Sequence, residues 1–329
     1  SDTSSGFPGN AQHSRQVVVA DFDGDLDSDV LVINQQPPHM VWLNDRLWDW
    51  TQGGEEWNEL LAADIAAAVA ADVDANGAME VVSLDQASTV RVWSRDVDRW
   101  RSSEIATSTK TPPDLGDGVH LERSTARPRR LAVVDVTGSG RLNVIRESGW
   151  VADNQIGRPA VLDVLASDGR QLQSFQAGRD WALVQDVVGA GPGMICVGDG
   201  GTIVTIPAGS GRFPFVDITL AGRTDPGQSM RSNVSGIGAA VAARVGDRWT
   251  MTGAVRTAAG PGQNLQPLSI GLGGHDEVDF VSIDWSDGVL QTEPHLKPGS
   301  VHVIAETQRQ LSSCPVIFAW DGEQMRFLT

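Results

Sequence analysis

Short apolar runs separated by polar or Gly-rich turns fill most of the chain, and one arrangement of them occurs four times. The segments at 16–34, 67–85, 130–148 and 182–198 each hold an apolar run, an Asp, a turn and a second apolar run. The aligned residues are Asp21, Asp72, Asp135 and Asp186, spaced by 51 (21 to 72), 63 (72 to 135) and 51 (135 to 186). Each segment predicts a β-hairpin with a long loop at its tip. Two more strands fit into each connection, with 41–44 (VWLN) and 90–93 (VRVW) as candidates. Trp42 and Trp93 are expected to pack between neighbouring units. Four strands at this period are the signature of a propeller blade, so the chain is expected to be all-β.

One stretch tests that expectation. Residues 59–72 are rich in Ala and Leu, and intrinsic propensity alone makes them a helix. The repeat register instead makes the second half of the stretch the strand that enters the second loop. A short helix over 56–64 precedes it.

The chain has 329 residues, of which 40% are hydrophobic, enough for a sizeable core. With 36 Gly and 16 Pro it favours turns and short strands over long helices. No run approaches the ~20 apolar residues that a membrane-spanning helix needs. Acidic residues outnumber basic ones 42 to 25, for a net charge of −17. That surface disfavours nucleic acid and anionic lipid and attracts cations. Only Cys196 and Cys314 occur, outside any metal-ligand spacing. A disulfide between them and two buried thiols remain open alternatives. The start at Ser1, with no charged-then-apolar leader, suggests a processed product or a fragment.

The placement of the Asp residues says more than their sum. Ca²⁺ takes six to eight oxygen ligands. Asp21, Asp23, Asp25 and Asp29 stand at positions 1, 3, 5 and 9 of the first loop, and the Asp27 carbonyl falls at position 7. Gly24 permits the sharp turn that gathers positions 1 to 5. Carboxylates packed this closely repel one another unless a cation lies between them. Position 12 is Val32, where an EF-hand carries a bidentate Glu, and a strand follows rather than a helix. The second loop offers Asp72, Asp74, Asn76 and Glu80 at the same four positions, with the Ala78 carbonyl at position 7. One Ca²⁺ site is expected in the first loop and another in the second. The third loop has Asp135, Thr137, Ser139 and Asn143, and is expected to fold as a hydrogen-bonded turn. The fourth has Asp186, Val188, Ala190 and Met194, and lacks the ligands for such a site.

These segments resemble the FG-GAP or VCBS-type repeat, whose pattern is apolar strand, DxDGDxxxD, apolar strand. The resemblance covers 13–220 and implies a calcium-loaded β-propeller, often seven-bladed. A second resemblance rests on 233–241 (NVSGIGAAV), 270–274 (IGLGG) and 278–288 (VDFVSIDWSDG). It is to the ASPIC/UnbV domain, which follows such repeats in the cartilage acidic protein family and in many bacterial secreted proteins. The usual W-P-S-G turn is here Trp285-Ser286-Asp287-Gly288, which still makes a β-turn. Alternation from Val278 to Trp285 agrees with a half-buried strand in a small β-sandwich.

The expected organisation is a lead-in at 1–12, about four blades at 13–220, an ASPIC/UnbV-like module at 221–311 and the start of a further segment at 312–329. The last segment resembles the SCPFLYAWDG stretch that opens a further region in larger bacterial relatives. Four blades are also fewer than the seven implied, so the chain is expected to be an internal piece of a longer polypeptide. Four-bladed closure remains the alternative.

No G-x-S-x-G, HExxH, Walker loop or dinucleotide fingerprint occurs, and the six His are scattered. The expected function is that of a secreted, calcium-stabilised binding or scaffold protein whose partner is a protein or a glycan, with no catalysis by this chain. The alternative is a non-catalytic part of a secreted polysaccharide-acting or enediyne-type biosynthetic complex.

Overall fold

The computed structural model describes residues 13–25, 27–45, 49–107, 112–116, 118–123, 130–152, 160–185, 188–225, 230–260, 266–307, 318–320, 322 and 325–327. The lead-in at 1–12, Asp186 and Cys314 lie outside the described residues.

The fold is all-β. Strands β1 (Ser14–Ala20), β2 (Asp29–Asn34), β3 (Met40–Asn44) and β4 (Trp50–Gln52) form one antiparallel sheet in that order. A 3₁₀ turn at Glu55–Trp57 and the one-turn helix α1 (Asn58–Leu61) lead to the second sheet. It consists of β5 (Ala67–Ala71), β6 (Glu80–Leu84), β7 (Val90–Asp96) and β8 (Arg99–Ala106). Strand β9 (Leu121–Arg123) precedes the third, made of β10 (Leu131–Val134), β11 (Asn143–Ala152), β12 (Ala160–Ala166) and β13 (Gln171–Ala177). β9 pairs with the far end of β11. The fourth sheet has three strands, β14 (Arg179–Gln185), β15 (Pro192–Val197) and β16 (Ile203–Ile206).

The register defeats propensity where the two conflict. Ala67–Ala71 is a strand, and all five of its residues are buried. Ala68 and Ala70 face the first sheet, while Ala67, Val69 and Ala71 face the third. Small side chains on both faces let two sheets approach this strand closely, and that tertiary packing outweighs helix propensity of a few tenths of a kcal/mol per residue.

This alternation builds the core along the whole stack. Val18, Ala20, Leu31 and Ile33 of the first sheet meet Ala68, Ala70 and Val81 of the second. Val69, Ala71 and Val82 meet Leu131, Val133 and Val144 of the third. Ala132, Ile145 and Val164 meet Trp181, Met194 and Cys196 of the fourth, where Cys196 is a buried free thiol. Trp57 and Trp100 stack at 4.6 Å between the first two sheets, with Phe22 edge-on to both. Trp93 lies in that same interface, with its indole N–H donating to Ser83 Oγ at 2.9 Å. Trp42, the equivalent position 51 residues earlier, is likewise buried, on the face of the first sheet turned away from the second and opposite Val30.

Between the second and third sheets the core contains an ion pair. Arg146 is 1% exposed, donates to Asp163 Oδ2 at 3.1 Å, and reaches the Ser88 carbonyl at 2.6 Å and the Thr107 carbonyl at 3.0 Å.

A sandwich follows. Strands β17 (Phe215–Ala221), β18 (Thr224–Asp225), β19 (Met230–Arg231), β20 (Ala240–Val245), β21 (Arg248–Gly253), β22 (Ala258–Ala259), β23 (Leu268–Gly271), β24 (Val278–Asp284), β25 (Leu290–Leu296) and β26 (Val301–Ala305) run from 215 to 305. The sheet β21-β20-β24-β25 packs on β23-β17-β26, in which β17 and β26 are parallel. Val216, Ile218, Val241, Val281, Ile283 and Trp285 fill the core between them. Trp285-Ser286-Asp287-Gly288 closes as a turn, with Gly288 N–H on the Trp285 carbonyl at 2.8 Å and φ +82° at Gly288. The sheet hydrogen bonds of this unit begin at Phe215, ahead of residue 221, and β22 leaves the sandwich to pair with β10. Beyond it, β27 (Phe318–Trp320) and β28 (Met325–Phe327) form a hairpin.

Candidate metal centre

The tips of the first three hairpins share one frame. The last residue of the entering strand pairs with the residue at loop position 9: Ala20 with Asp29, Ala71 with Glu80, Val134 with Asn143. In each loop the position-9 side chain turns back and accepts the N–H of position 2. Phe22 donates to Asp29 Oδ2 at 2.8 Å, Val73 to Glu80 Oε2 at 2.9 Å, and Val136 to Asn143 Oδ1 at 3.0 Å. Position 1 also caps each turn, on a glycine at position 4 in the first and third loops and at position 6 in the second. Asp21 Oδ1 accepts from Gly24 at 2.7 Å, Asp72 Oδ2 from Gly77 at 2.7 Å, and Asp135 Oδ1 from Gly138 at 2.8 Å. Those three glycines have φ of +85°, +92° and +72°, a region that a side chain disfavours.

In the first loop this frame gathers carboxylates. Ligand oxygens of Asp21, Asp23 and Asp29 lie within 4.8 Å of one another. Two oxygens that share one Ca²⁺ at about 2.4 Å can be no more than about 4.8 Å apart, so the donor set fits the ion. Asp25 falls outside that trio, and its Oδ1 accepts the Asp27 N–H at 2.9 Å. Asp29 is fully buried and also takes the Asn44 N–H at 2.9 Å. Burial pushes Asp29 up to about 7, against these two amides, and Asp23 and Asp21 add to the rise. Burial also raises Asp23, with Asp25 as the leading charged neighbour.

The second loop repeats the arrangement with Asp72, Asp74 and Glu80, again within 4.8 Å. Burial, then Asp74 and Asp72, push Glu80 up to about 7, while the Asn76 side chain and the Val73 amide pull it down. Asn76 therefore stands beside Glu80, and its Oδ1 accepts the Ala78 N–H at 2.7 Å.

The third loop replaces carboxylates with protein contacts. Thr137 Oγ1 donates to Asp135 Oδ1 at 3.0 Å, and Gly140 N–H reaches Asp135 Oδ2 at 2.6 Å. This is the hydrogen-bonded turn that the sequence implies. The sandwich then seats on its carbonyls. Gly273 N–H donates to the Gly138 carbonyl at 2.7 Å, Thr250 Oγ1 to Gly140 at 3.0 Å, and Arg248 to Ser139. The Arg212 guanidinium lies close enough to Asp135 to feel its charge.

The fourth hairpin has a different register. Gln185 pairs with Pro192, which shortens the loop. A carboxylate from outside the repeat holds it. Asp217, fully buried on β17, accepts Gly189 N–H at 2.6 Å and Gln185 Nε2 at 3.0 Å. Asp217, Arg212, Arg248 and Thr250 carry no sign of these roles in the sequence, because each acts on a loop far from it in the chain.

The sandwich also faces the first loop. Asp284 on β24 is raised by burial and then by Asp21, and the two line a cavity of about 50 Å³ with Ser28 and Ser286. A second cavity, of about 100 Å³, lies between Asp72, Asp135, Gln185, Thr250 and Ser269, and is smaller than the ~300 Å³ at which ligand pockets begin. Among the described residues, no helix is long and apolar enough to cross a membrane.

The chain matches no curated protein. Residues 228–311, which form most of the sandwich, match the family described as ASPIC and UnbV, so this unit carries an ASPIC/UnbV domain.

Proposed function

We propose that the four stacked sheets are FG-GAP-type propeller blades, that the first two loops each bind Ca²⁺, and that the chain is a secreted scaffold presenting its loops to a protein or glycan partner without catalysis of its own. The observation that carries this is the shared loop frame. Three loops keep the same bond from the position-2 amide to the position-9 side chain, and the two that keep acidic side chains at positions 1, 3 and 9 bring their oxygens within the span of one ion. Each pair of carboxylates repels by about 1 kcal/mol in water and about 4 kcal/mol near a protein surface at 4 Å. A divalent cation reverses the sign. The third loop supports the same reading from the other side, since it lacks carboxylates at positions 3 and 9 and is held instead by sandwich groups on its carbonyls, with a guanidinium near Asp135.

A cation at these positions pins loop tips, which suits rigid presentation better than reaction chemistry. Asp21, Asp23, Asp29, Asp72, Asp74 and Glu80 would hold the ions through side-chain oxygens, and Asp25, Asn76 and the carbonyls of Asp27 and Ala78 remain available to complete the shells. Isothermal titration of chelator-treated chain with CaCl₂ tests this: two binding events are expected. No heat and no shift of the melt by calcium would sink the metal reading. A glycan array and partner capture, each with and without calcium, then test the binding role.

A further inference from the structure

The sandwich meets the loop tips of the stack at several points, and at two of them it supplies a group of complementary sense. On the third loop it brings donors to carbonyls: Gly273 N–H, Thr250 Oγ1 and the Arg248 guanidinium. On the fourth hairpin it brings an acceptor to donors, Asp217 to the Gly189 amide and the Gln185 side chain. At the first loop the match fails. Ile283 and Trp285 enter the sandwich core, so strand parity turns Asp284, between them, to the outer face of β24. That face lies over the first loop, where Asp284 and Asp21 line one cavity with Ser28, Ser286 and Gly238. A Cβ on Gly238 would stand 3.5 Å from Ser28 Oγ and 3.6 Å from Ser286 Cβ, so the sandwich touches the loop beside the cavity. Asp284 is half-buried, and among the described residues its carboxylate accepts no hydrogen bond and meets no cation.

A carboxylate held half-buried opposite another, with no donor of its own, costs free energy unless a cation stands near both. The cavity, at about 50 Å³, is too small for an organic ligand and has room for water. We infer that Asp284 adds its charge to the first calcium site, so that Ca²⁺ in this loop draws the ASPIC/UnbV sandwich onto the first sheet. Without the ion, Asp21 and Asp284 repel and the seat loosens at the first loop, while the third and fourth hairpins keep their hydrogen bonds to the sandwich. With the ion, the seat closes. By linkage, a closed seat raises the affinity of the site for calcium in return. The device belongs to the first loop. The cavity beside Asp72 receives Thr250, Met251, Thr252 and Gly253 from the sandwich, and no carboxylate from it. The inference rests on the calcium reading of the first loop and adds to it control of the joint between the sheets and the sandwich.

Amide hydrogen exchange of the full chain, in CaCl₂ and in chelator, reads the joint. Calcium is expected to slow exchange in the sandwich peptides that carry the Gly238, Ala239 and Gly288 amides. Asp23→Ala, in the first loop, is expected to abolish that slowing, and Asp74→Ala, in the second, to keep it. Asp284→Asn keeps the shape of the side chain and removes its charge. In that variant the same peptides are expected to exchange slowly with or without calcium. In the Asp74→Ala background, where one site remains, Asp284→Asn is expected to weaken calcium binding about five- to tenfold by titration. Calcium binding that leaves sandwich exchange unchanged overturns the inference while the metal reading stands. Equal calcium affinity with and without the Asp284 charge does the same. A chain that binds no calcium at all sinks the metal reading and the inference together. The wild-type exchange needs no variant, so it decides even if Asp284→Asn fails to fold.

Discussion

The amide of Phe22 donates to the Asp29 carboxylate across seven residues, and this contact ties the loop to the core as well as to itself. Phe22 is 4% exposed and lies edge-on to Trp57 and Trp100 between the first two sheets. Position 2 is thus a plug in the inter-sheet core, and position 9 holds the plug's backbone. Val73 with Glu80 and Val136 with Asn143 repeat the pairing. Folding alone places the position-9 oxygen opposite positions 1 and 3, before any ion arrives.

Ca²⁺ and the frame can be separated by mutation. Asp23 is exposed, and its carboxylate accepts the Asp25 amide at 3.2 Å. Asp23→Ala is expected to leave the calcium-free melt nearly unchanged while removing much of the calcium response. At calcium a hundredfold above Kd, that response is worth about 2.7 kcal/mol per site. Asp29→Ala is expected to destabilise the protein even without calcium, by about 2 kcal/mol or more, because it orphans the buried amides of Phe22 and Asn44. Paired melts in calcium and in chelator read both effects, and equal behaviour of the two variants would refute this division of labour.

Asp29 and Glu80 set a pH dependence for the calcium-free chain. Both are pushed up to about 7 in the fold, from ordinary values of 3.8 and 4.5. A raised folded value means that the fold favours the proton. The associated stability is fully present below about pH 4 and is lost as pH rises through about 7. The calcium-free melt is therefore expected to rise as pH falls from about 8 toward about 5. Calcium competes with that proton, so its affinity should weaken over the same fall. Melts and titrations at three pH values check both signs.

Gly138→Ala addresses the seat of the sandwich on the third loop. Gly138 has φ +72°, and an added Cβ would run into the Phe213 carbonyl. The Gly138 carbonyl also holds Gly273 N–H. The substitution should cost about 1–3 kcal/mol from backbone strain alone and should split the calorimetric transition as the sandwich loosens from the sheets. A single transition at the wild-type temperature would count against the contact.

The Arg146–Asp163 pair should behave as a buried charge pair. Asp163→Ala leaves the Arg146 guanidinium, 1% exposed, without its anion. The expected loss is about 3–5 kcal/mol. Arg146→Met together with Asp163→Leu should recover much of it, since no charge is then left alone. Denaturant unfolding of the three variants measures the coupling.

Much of this was legible along the chain, and for a local reason. Each hairpin strand, loop and returning strand lies within about twenty residues, so alternation and Asp spacing report it directly. The Ala67–Ala71 strand was legible only through the repeat, because its composition argues for a helix. Trp42 and Trp93 share one register position, 51 residues apart, and both are buried, but only Trp93 has its neighbouring sheet among the described residues. Asp25 stands in line with Asp21, Asp23 and Asp29, but only the fold sets its carboxylate outside their close trio, with Oδ1 on the Asp27 amide.

The sequence by itself determined the hairpins, the loops and which of them keep carboxylates, since these depend on neighbours in the chain and on φ values that Gly24, Gly77 and Gly138 permit. Tertiary structure decided what stands in for the acidic side chains in the later loops. Arg248, Thr250 and Gly273 hold the third, and Asp217 holds the fourth, across separations of 28 residues or more. No periodicity encodes such contacts. They form because a buried or half-buried amide or carbonyl must find a partner, and packing the sandwich against the loop tips brings the right groups within reach.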